Sequence, residues 1–156
     1  DRLIEDLLLL ARQEEESLVV DAVDLGVQAR EAWEYVSTGG ATLDVRVDGQ
    51  IVDADPDRLG QLLENCFRNA VEHGGESVTV TVGPLPDDGG FYVADDGPGW
   101  GDADLSNVFE AGYTTSDEGT GFGLSIVAEI ATVHGWSVSA TDSESGGARI
   151  EIRTDD

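Results

Sequence analysis

The sequence predicts a two-layer α/β sandwich, in which helices cover one face of a mixed sheet. Helical and strand-like hydrophobic patterns alternate along the chain, and such alternation favours an α/β architecture. Several strand candidates are joined by short turns, which predicts antiparallel pairs within the same sheet. A long glycine-bearing loop runs between Asp95 and Leu124, and loops of that length are usually functional lids or disordered. The sequence therefore predicts a domain with a lid beside a ligand site.

Composition excludes several classes of protein. The chain has 156 residues, a formal net charge of −25 and 40% apolar residues, which is enough for one hydrophobic core. A nucleic-acid binder would carry the opposite charge, so that class is set aside. One cysteine excludes an intrachain disulfide. No apolar run approaches the roughly 20 residues of a membrane span, so we expect a cytoplasmic chain without direct membrane contact, or the cytoplasmic part of a membrane-bound receptor.

The acidic excess suggests adaptation to a salty cytoplasm, as in a halophile. All eight basic residues are arginine, and a Debye length of about 3 Å at 1 M salt would screen the self-repulsion. Folding and ligand affinity that stay unchanged in dilute buffer would refute this hypothesis. A phosphate bound to so acidic a chain must be held by backbone N–H groups, a divalent cation and at most a nearby arginine.

The first third of the chain predicts two helices and a hairpin. Residues 1–16 carry a leucine stripe at helical spacing, which is typical of the end of a longer helix that packs against partner helices. The alternative is a terminal helix that docks on its own domain. A second helix is predicted over about 25–36. An alternating strand at 43–47 and a turn signal at 48–49 predict a hairpin with 51–54.

The best-defined helix begins at Pro56. Asp55 fits as its N-cap and Pro56 as its first turn, while glycines at 74–75 end it. Cys66 in its apolar stripe is interpreted as a small buried hydrophobe. The remaining predicted elements are strands near 78–82 and 91–94, a helix over about 121–134, and strands near 136–141 and 148–153. His134 is interpreted as a cap that complements the dipole of that last helix.

Polar residues flank the apolar face of the helix that begins at Pro56. Asn65, Asn69 and His73 follow one another at i, i+4 steps beside that face. An asparagine carbonyl is a neutral oxygen ligand, and Mg²⁺ takes one or two protein oxygens together with waters and phosphates. Asn69 could therefore hold Mg²⁺; the alternative is a row of surface amides. Glu64 and Arg68 are predicted to form a surface ion pair on the other flank.

Two glycine clusters indicate a nucleotide. Asp95 ends a strand and is followed by Gly97 and Gly99. A carboxylate only accepts hydrogen bonds, which suits the exocyclic amine of adenine; the alternative is an ordinary Asp-Gly turn. Residues 119–124 lead into a helix, so backbone N–H groups there could approach a phosphate; the alternative is a flexible hinge.

In this order, the segments resemble the ATP-binding domain of sensor histidine kinases, within the wider group that includes gyrase, the Hsp90 chaperones and MutL. The resemblance assigns four motifs: the N box at 63–73, the first glycine box at 95–99, the F box at 109–115 and the second glycine box at 119–124. It implies a Bergerat-type ATP-binding fold with a long ATP lid. Its domain division would be the end of the second dimerisation helix at 1–16, a linker at 17–24 and the catalytic domain at 25–154.

The resemblance also implies a role for each position. Asn65 and Asn69 would be the catalytic residues, with Asn69 binding Mg²⁺ and Asn65 supporting it near the phosphates. Asp95 would read adenine, and Phe109 would anchor the lid. The other nucleotide-binding candidates are His73, Gly97, Gly99, Thr115, Gly119, Thr120, Gly121, Phe122, Gly123 and Leu124.

The implied reaction transfers the γ-phosphoryl group of ATP to a histidine and then to an aspartate of a response regulator receiver domain. Positioning and Mg²⁺ would supply most of the catalysis. The two histidines present, His73 and His134, lie outside a dimerisation-helix context. We therefore expect the acceptor in the dimerisation domain of a homodimeric full-length kinase, and no self-phosphorylation by this chain.

Three other interpretations stay open. A gyrase- or Hsp90-like ATPase would carry a glutamate base where Asn65 stands, so the asparagine favours transfer over hydrolysis. A serine kinase of the anti-sigma-factor type fits the leading leucine helix poorly. Glu72 and Ala148 depart from the family pattern and leave open a non-catalytic ATP-binding signalling module.

Overall fold

A five-stranded mixed sheet covered by helices forms the body of the structure. It is a computed structural model that describes residues 2–15, 17–36, 39–75, 77–101, 105, 107–110 and 123–154. The α-helices within these residues are α1 (Arg2–Glu15), α2 (Leu25–Glu34), α3 (Pro56–Gly74) and α4 (Gly123–Val133). The strands are β1 (Asp21–Asp24), β2 (Thr42–Val45), β3 (Ile51–Ala54), β4 (Thr79–Pro84), β5 (Gly90–Asp95), β6 (Ser137–Asp142) and β7 (Ala148–Arg153).

The main sheet has the order β2-β4-β5-β7-β6, with β2 parallel to β4 and the other neighbours antiparallel. Alternate residues of β7 are buried against the helices, as expected for a sheet with one covered face. In the helix layer, α3 packs against both α2 and α4. The predicted two-layer sandwich is confirmed. Within the described ranges, none of the helices combines the length and the apolar content needed to cross a membrane.

The predicted hairpin between 43–47 and 51–54 is wrong. β2 pairs in parallel with β4, and β3 pairs antiparallel with β1. The turn at Asp48-Gly49 forms, with Gly49 at φ 81°, but it leads the chain out of the main sheet. Residues 17–24, which we predicted as a linker, include β1. The alternating apolar pattern identified both strands. Contacts with segments distant in the sequence decided which strand each one pairs with.

The first helix has two different faces. On the inner face, α1 packs against α4, Asp6 is only 3% exposed, and Leu9 and Leu10 pack against the core. The outer face leaves four large apolar side chains exposed, namely Leu3, Ile4, Leu7 and Leu8. Docking on its own domain therefore accounts for only one side of this helix.

The start of α3 is fixed by a buried carboxylate. Asp55 is the N-cap, as predicted, and accepts hydrogen bonds from the N–H groups of Asp57 and Arg58. It also accepts from the N–H of Val19 and pairs with the Arg58 guanidinium at 3.1 Å. Burial alone would raise the pKa of Asp55, but these backbone hydrogen bonds and the charge of Arg58 outweigh it and lower the pKa. Because Arg58 also donates to the carbonyl of Ser17, this cluster ties the segment before β1 to α3.

His134 connects the end of α4 to the start of α3. Its Nδ1 bonds to the carbonyl of Ile130 at 2.8 Å, and its Nε2 accepts from the backbone N–H of Asp55 at 3.0 Å. The ring stacks on Trp136 with centroids 4.2 Å apart. Since Nε2 accepts, the bonded ring is the neutral Nδ1–H form. Burial lowers the pKa of His134, against the opposing effects of Ile130 and Asp55.

Protonation of His134 should therefore destabilise the fold. A histidine whose pKa is lower in the folded state contributes stability that is complete above the unfolded pKa of about 6.5 and is lost as the pH falls toward the folded pKa. Losing the hydrogen bond to Asp55 should cost about 1 kcal/mol. We expect urea unfolding in concentrated salt to show this loss between pH 7 and pH 5. Because acidic residues titrate as well, the measured quantity is the difference from His134→Phe, and an exposed-histidine control, His73→Gln, should keep the wild-type dependence.

Candidate functional site

Helix α3 lies along the candidate site, and its carboxyl end and its middle contact different segments. Near its carboxyl end, a Cβ atom on Gly97 would lie 2.5 Å from the Cα of Gly74, so the backbones are in direct contact. Nearer its middle, a Cβ atom on Gly123 would lie 3.7 Å from Oδ1 of Asn65. Asn65 and Gly74 are separated by about 14 Å along the helix axis. The arrangement suits an elongated ligand that lies along α3, with Asn69 halfway.

Asp95 is the buried carboxylate at the end of the central strand. Its Oδ1 accepts hydrogen bonds from the N–H groups of Gly97 at 3.0 Å and Ala148 at 3.2 Å, and the residue is 7% exposed. Its Oδ2 has no hydrogen-bond partner among the described residues and is free to accept from a ligand. Burial raises the pKa of Asp95, against those two hydrogen bonds; Asp96 adds to the rise, and His73 opposes it.

The loop after Asp95 is held by close backbone contacts. Asp96 accepts a hydrogen bond from the N–H of Thr79 at 2.8 Å, which ties the loop to β4. Gly99 has φ +86° and its Cβ position lies 2.7 Å from the carbonyl oxygen of Gly146. A side chain at Gly97 or Gly99 would displace this backbone, so both positions favour glycine.

Asn65 is held within its own helix and by Arg68. Its Nδ2 donates to the carbonyl of Gln61 at 2.8 Å, and its Oδ1 accepts from Arg68 at 3.4 Å. The predicted Glu64–Arg68 ion pair is wrong, since no such contact exists between these two described side chains and Arg68 donates to Asn65 instead. Burial raises the pKa of Glu64, although the charge of Arg68 opposes the rise. Arg68 therefore places a positive charge beside Asn65.

Asn69 has the properties of a neutral metal ligand. Its side chain makes no hydrogen bond to the part of the chain that the structure describes, so its carbonyl oxygen is available. Over the same residues, no group of three or more His, Cys, Asp or Glu side chains could hold a metal ion. A single amide oxygen fits Mg²⁺ that keeps waters and phosphates as its other ligands.

The remaining predicted residues lie in different environments. Phe109 is partly buried and packs against the core beside Val108. The Leu124 side chain is 9% exposed in the core, so only its backbone could face a ligand. His73 is exposed on α3. The predictions for Thr115, Gly119, Thr120, Gly121 and Phe122 lie outside the described residues.

The contact between Asp95 and the turn that joins β6 to β7 was not predicted from the sequence. Gly147 packs directly against Asp95, since a Cβ atom there would lie 2.1 Å from the Asp95 carbonyl oxygen. Ser143 in the same turn donates to that oxygen at 2.8 Å. The run Ser143-Glu144-Ser145-Gly146-Gly147 is a turn signal in the sequence, but nothing local indicates that it meets Asp95.

Comparison with known proteins agrees with this geometry. Residues 54–156 match the family described as histidine kinase-, DNA gyrase B-, and HSP90-like ATPase. A probable sensor histidine kinase HK of Mycobacterium tuberculosis is 32% identical over 158 residues, 96% of this chain and 42% of that protein. The sensor histidine kinase component HK1 of the same species is 34% identical over 119 residues, 72% of this chain and 70% of that protein.

A solved structure of full-length ShkA in complex with AMPPNP is 28% identical, with a TM-score of 0.72 over 97% of this chain and 34% of that chain. The chain spans 19% to 42% of the length of other curated sensor kinases that it matches. The matched span includes α3, Asp95 and α4, which build the candidate site. The chain therefore belongs to the histidine kinase-, DNA gyrase B- and HSP90-like ATPase family, as the ATP-binding catalytic domain of a sensor histidine kinase.

Proposed function

We propose that this domain binds Mg·ATP along α3 and presents the γ-phosphate to a histidine of the kinase dimerisation domain. The observation that carries the proposal is the placement of three groups along one helix. A free oxygen of Asp95 lies beside one end of α3, and the Asn69 and Asn65 amides follow toward the start of α4. The spacing fits a nucleotide with its base at Asp95 and its phosphates near Gly123.

Base recognition would fall to Asp95. Oδ1 is occupied by two backbone donors, so Oδ2 would accept from the exocyclic amine of adenine. Guanine places a carbonyl oxygen at that position. Two hydrogen-bond acceptors would then face each other and repel. Gly97 and Gly99 bring the backbone close to the base without side chains in the way.

The phosphate end would be held with few positive charges. Asn69 would coordinate the magnesium ion, and Arg68 and the first N–H groups of α4 at Gly123 and Leu124 would contact phosphate oxygens. Bound ATP supplies the γ-phosphoryl group, and magnesium neutralises part of its charge. Asn65, an amide hydrogen-bonded to Gln61 and Arg68, would orient these groups and would not activate water, so transfer is favoured over hydrolysis.

The acceptor histidine would belong to the dimerisation domain, and the phosphoryl group would pass on to an aspartate of a response regulator. The exposed apolar face of α1 supports packing against further helices of that domain. The proposed reaction would take place in the cytoplasm, where ATP and a response regulator would be available.

Substitution of Asn69 by alanine tests the metal assignment. In calorimetric titrations with AMPPNP in molar potassium chloride, we expect wild-type binding to depend on Mg²⁺. The variant should bind Mg·AMPPNP at least about tenfold more weakly and should lose most of the difference between magnesium and EDTA. The matched control is Gln28→Ala, which removes an amide on α2 near Gly60, at the other end of α3, and should bind normally.

A wild-type chain that gives no heat with Mg·AMPPNP would overturn the proposed function. A wild-type chain that binds, with an Asn69→Ala variant that keeps the full magnesium dependence, would overturn only the assignment of the metal ligand.

A further inference from the structure

The turn between β6 and β7 lies directly behind Asp95 and contacts both its backbone and its side chain. The Ser143 hydroxyl donates to the Asp95 carbonyl oxygen at 2.8 Å and accepts from the N–H of Gly147 at 2.8 Å. The next N–H in the chain, that of Ala148, donates to Oδ1 of Asp95 at 3.2 Å. One hydroxyl therefore connects the backbone of Asp95 to the segment that holds its carboxylate.

The turn itself is tightly closed. The N–H of Ser143 donates to the carbonyl of Gly147 at 2.8 Å, and the N–H of Gly146 donates to the carbonyl of Ser143 at 3.0 Å. Ser145 adds a longer hydrogen bond of 3.3 Å to the Asp95 carbonyl. Because Gly147 has no side chain, the turn can lie against Asp95 at this distance.

We propose that Ser143 is a positioning residue that sets the base specificity of the nucleotide site by fixing the Asp95 carboxylate. This inference rests on the proposed function. The direction of Oδ2 is set by the two donors on Oδ1, one of which is the N–H of Ala148. Removal of the Ser143 hydroxyl leaves the N–H of Gly147 without its partner and the Asp95 carbonyl with only the longer hydrogen bond from Ser145. The turn and Ala148 should then shift relative to Asp95. The Asp95 carboxylate then loses one of its restraints, although Asp95 itself is unchanged.

The alternative is that Ser143 only stabilises the hairpin. A hydroxyl that serves the hairpin alone would affect every nucleotide equally, whereas a positioning residue affects the nucleotide that Asp95 reads. Inosine triphosphate separates the two cases, because it carries a carbonyl in place of the exocyclic amine of ATP.

The experiment measures the affinity of the whole chain for Mg·ATP and Mg·ITP by calorimetry in molar potassium chloride. For Ser143→Ala we expect ATP binding to weaken about tenfold and ITP binding to weaken at most about twofold. Ser143→Thr keeps the hydroxyl and should restore the ATP preference. Ser139→Ala, at an exposed position of β6, is the matched control and should behave as wild type.

Two further measurements keep the result interpretable. In an Asp95→Asn background, Ser143→Ala should change ATP affinity by less than about twofold, because the two residues act through one contact. If Ser143→Ala unfolds, Ser145→Ala removes the longer hydrogen bond and should shift the ATP preference in the same direction by a smaller factor.

Equal losses for ATP and ITP, or an unchanged ATP preference in Ser143→Ala, would overturn the positioning role. In that outcome a wild-type chain that still prefers ATP leaves the proposed function standing. A wild-type chain that binds neither nucleotide overturns both.

Discussion

Replacement of Asp95 by asparagine should weaken Mg·ATP binding by about thirtyfold, since a hydrogen bond to a charged acceptor contributes about 2 kcal/mol. The asparagine keeps the size of the side chain and one oxygen for the N–H groups of Gly97 and Ala148. It places an NH₂ donor where the free oxygen lay, so that two donors would face each other. Calorimetry with ATP measures the loss.

The neighbouring residue provides the control. Asp96→Asn keeps an oxygen for the N–H of Thr79 and removes the same unit of charge, so it should bind ATP within about threefold of wild type. ITP should bind to Asp95→Asn at least as well as to wild type, because its carbonyl can accept from the new NH₂ group. Equal losses in the two variants would mean that net charge, and not base recognition, governs affinity.

Truncation of Phe67 to alanine should give the largest loss of stability, about 4 kcal/mol. The ring is completely buried in α3 and meets Trp33 of α2 edge-on, with centroids 5.3 Å apart and an interplanar angle of 78°. Small domains have total stabilities of about 5–15 kcal/mol, so the variant should be close to unfolding. Urea denaturation in molar potassium chloride gives the free energy of unfolding.

An exposed aromatic residue near the same interface is the control. Tyr35, which follows α2, is 76% exposed, and Tyr35→Ala should change the free energy of unfolding by less than about 0.5 kcal/mol. A Phe67→Ala variant that loses less than about 1 kcal/mol would contradict the packing of α3 against α2.

Local chemistry was enough to predict the helices and most strands. The N-cap carboxylate of Asp55 and the ring of Pro56 act within one turn, so the start of α3 can be read from adjacent residues. Alternating valines identified β4 in the same way. The pairing of β2 with β4, and of β3 with β1, depends on edges that only the complete sheet provides. The hairpin prediction failed for that reason.

The candidate site shows the same difference between local features, which the sequence reveals, and long-range contacts, which it does not. Asp95 and the asparagines of α3 stand out because their chemistry and spacing are local. Arg68 had two potential partners within α3, Glu64 and Asn65. Side-chain conformation decides which of them it contacts. Ser143 lies 48 residues from Asp95, and a serine in a turn between strands has no sequence feature that reveals so distant a contact.

The dependence of Asp95 on the last strand pair has a consequence for synthesis on the ribosome. The carboxylate is oriented by the N–H of Ala148, which is translated 53 residues after it. Until β7 has left the exit tunnel, the nascent chain carries all of α3 but lacks one of the two donors that orient the Asp95 carboxylate. A nucleotide bound through Asp95 should therefore stabilise the nascent chain only after β7 has emerged, and not the shorter intermediates.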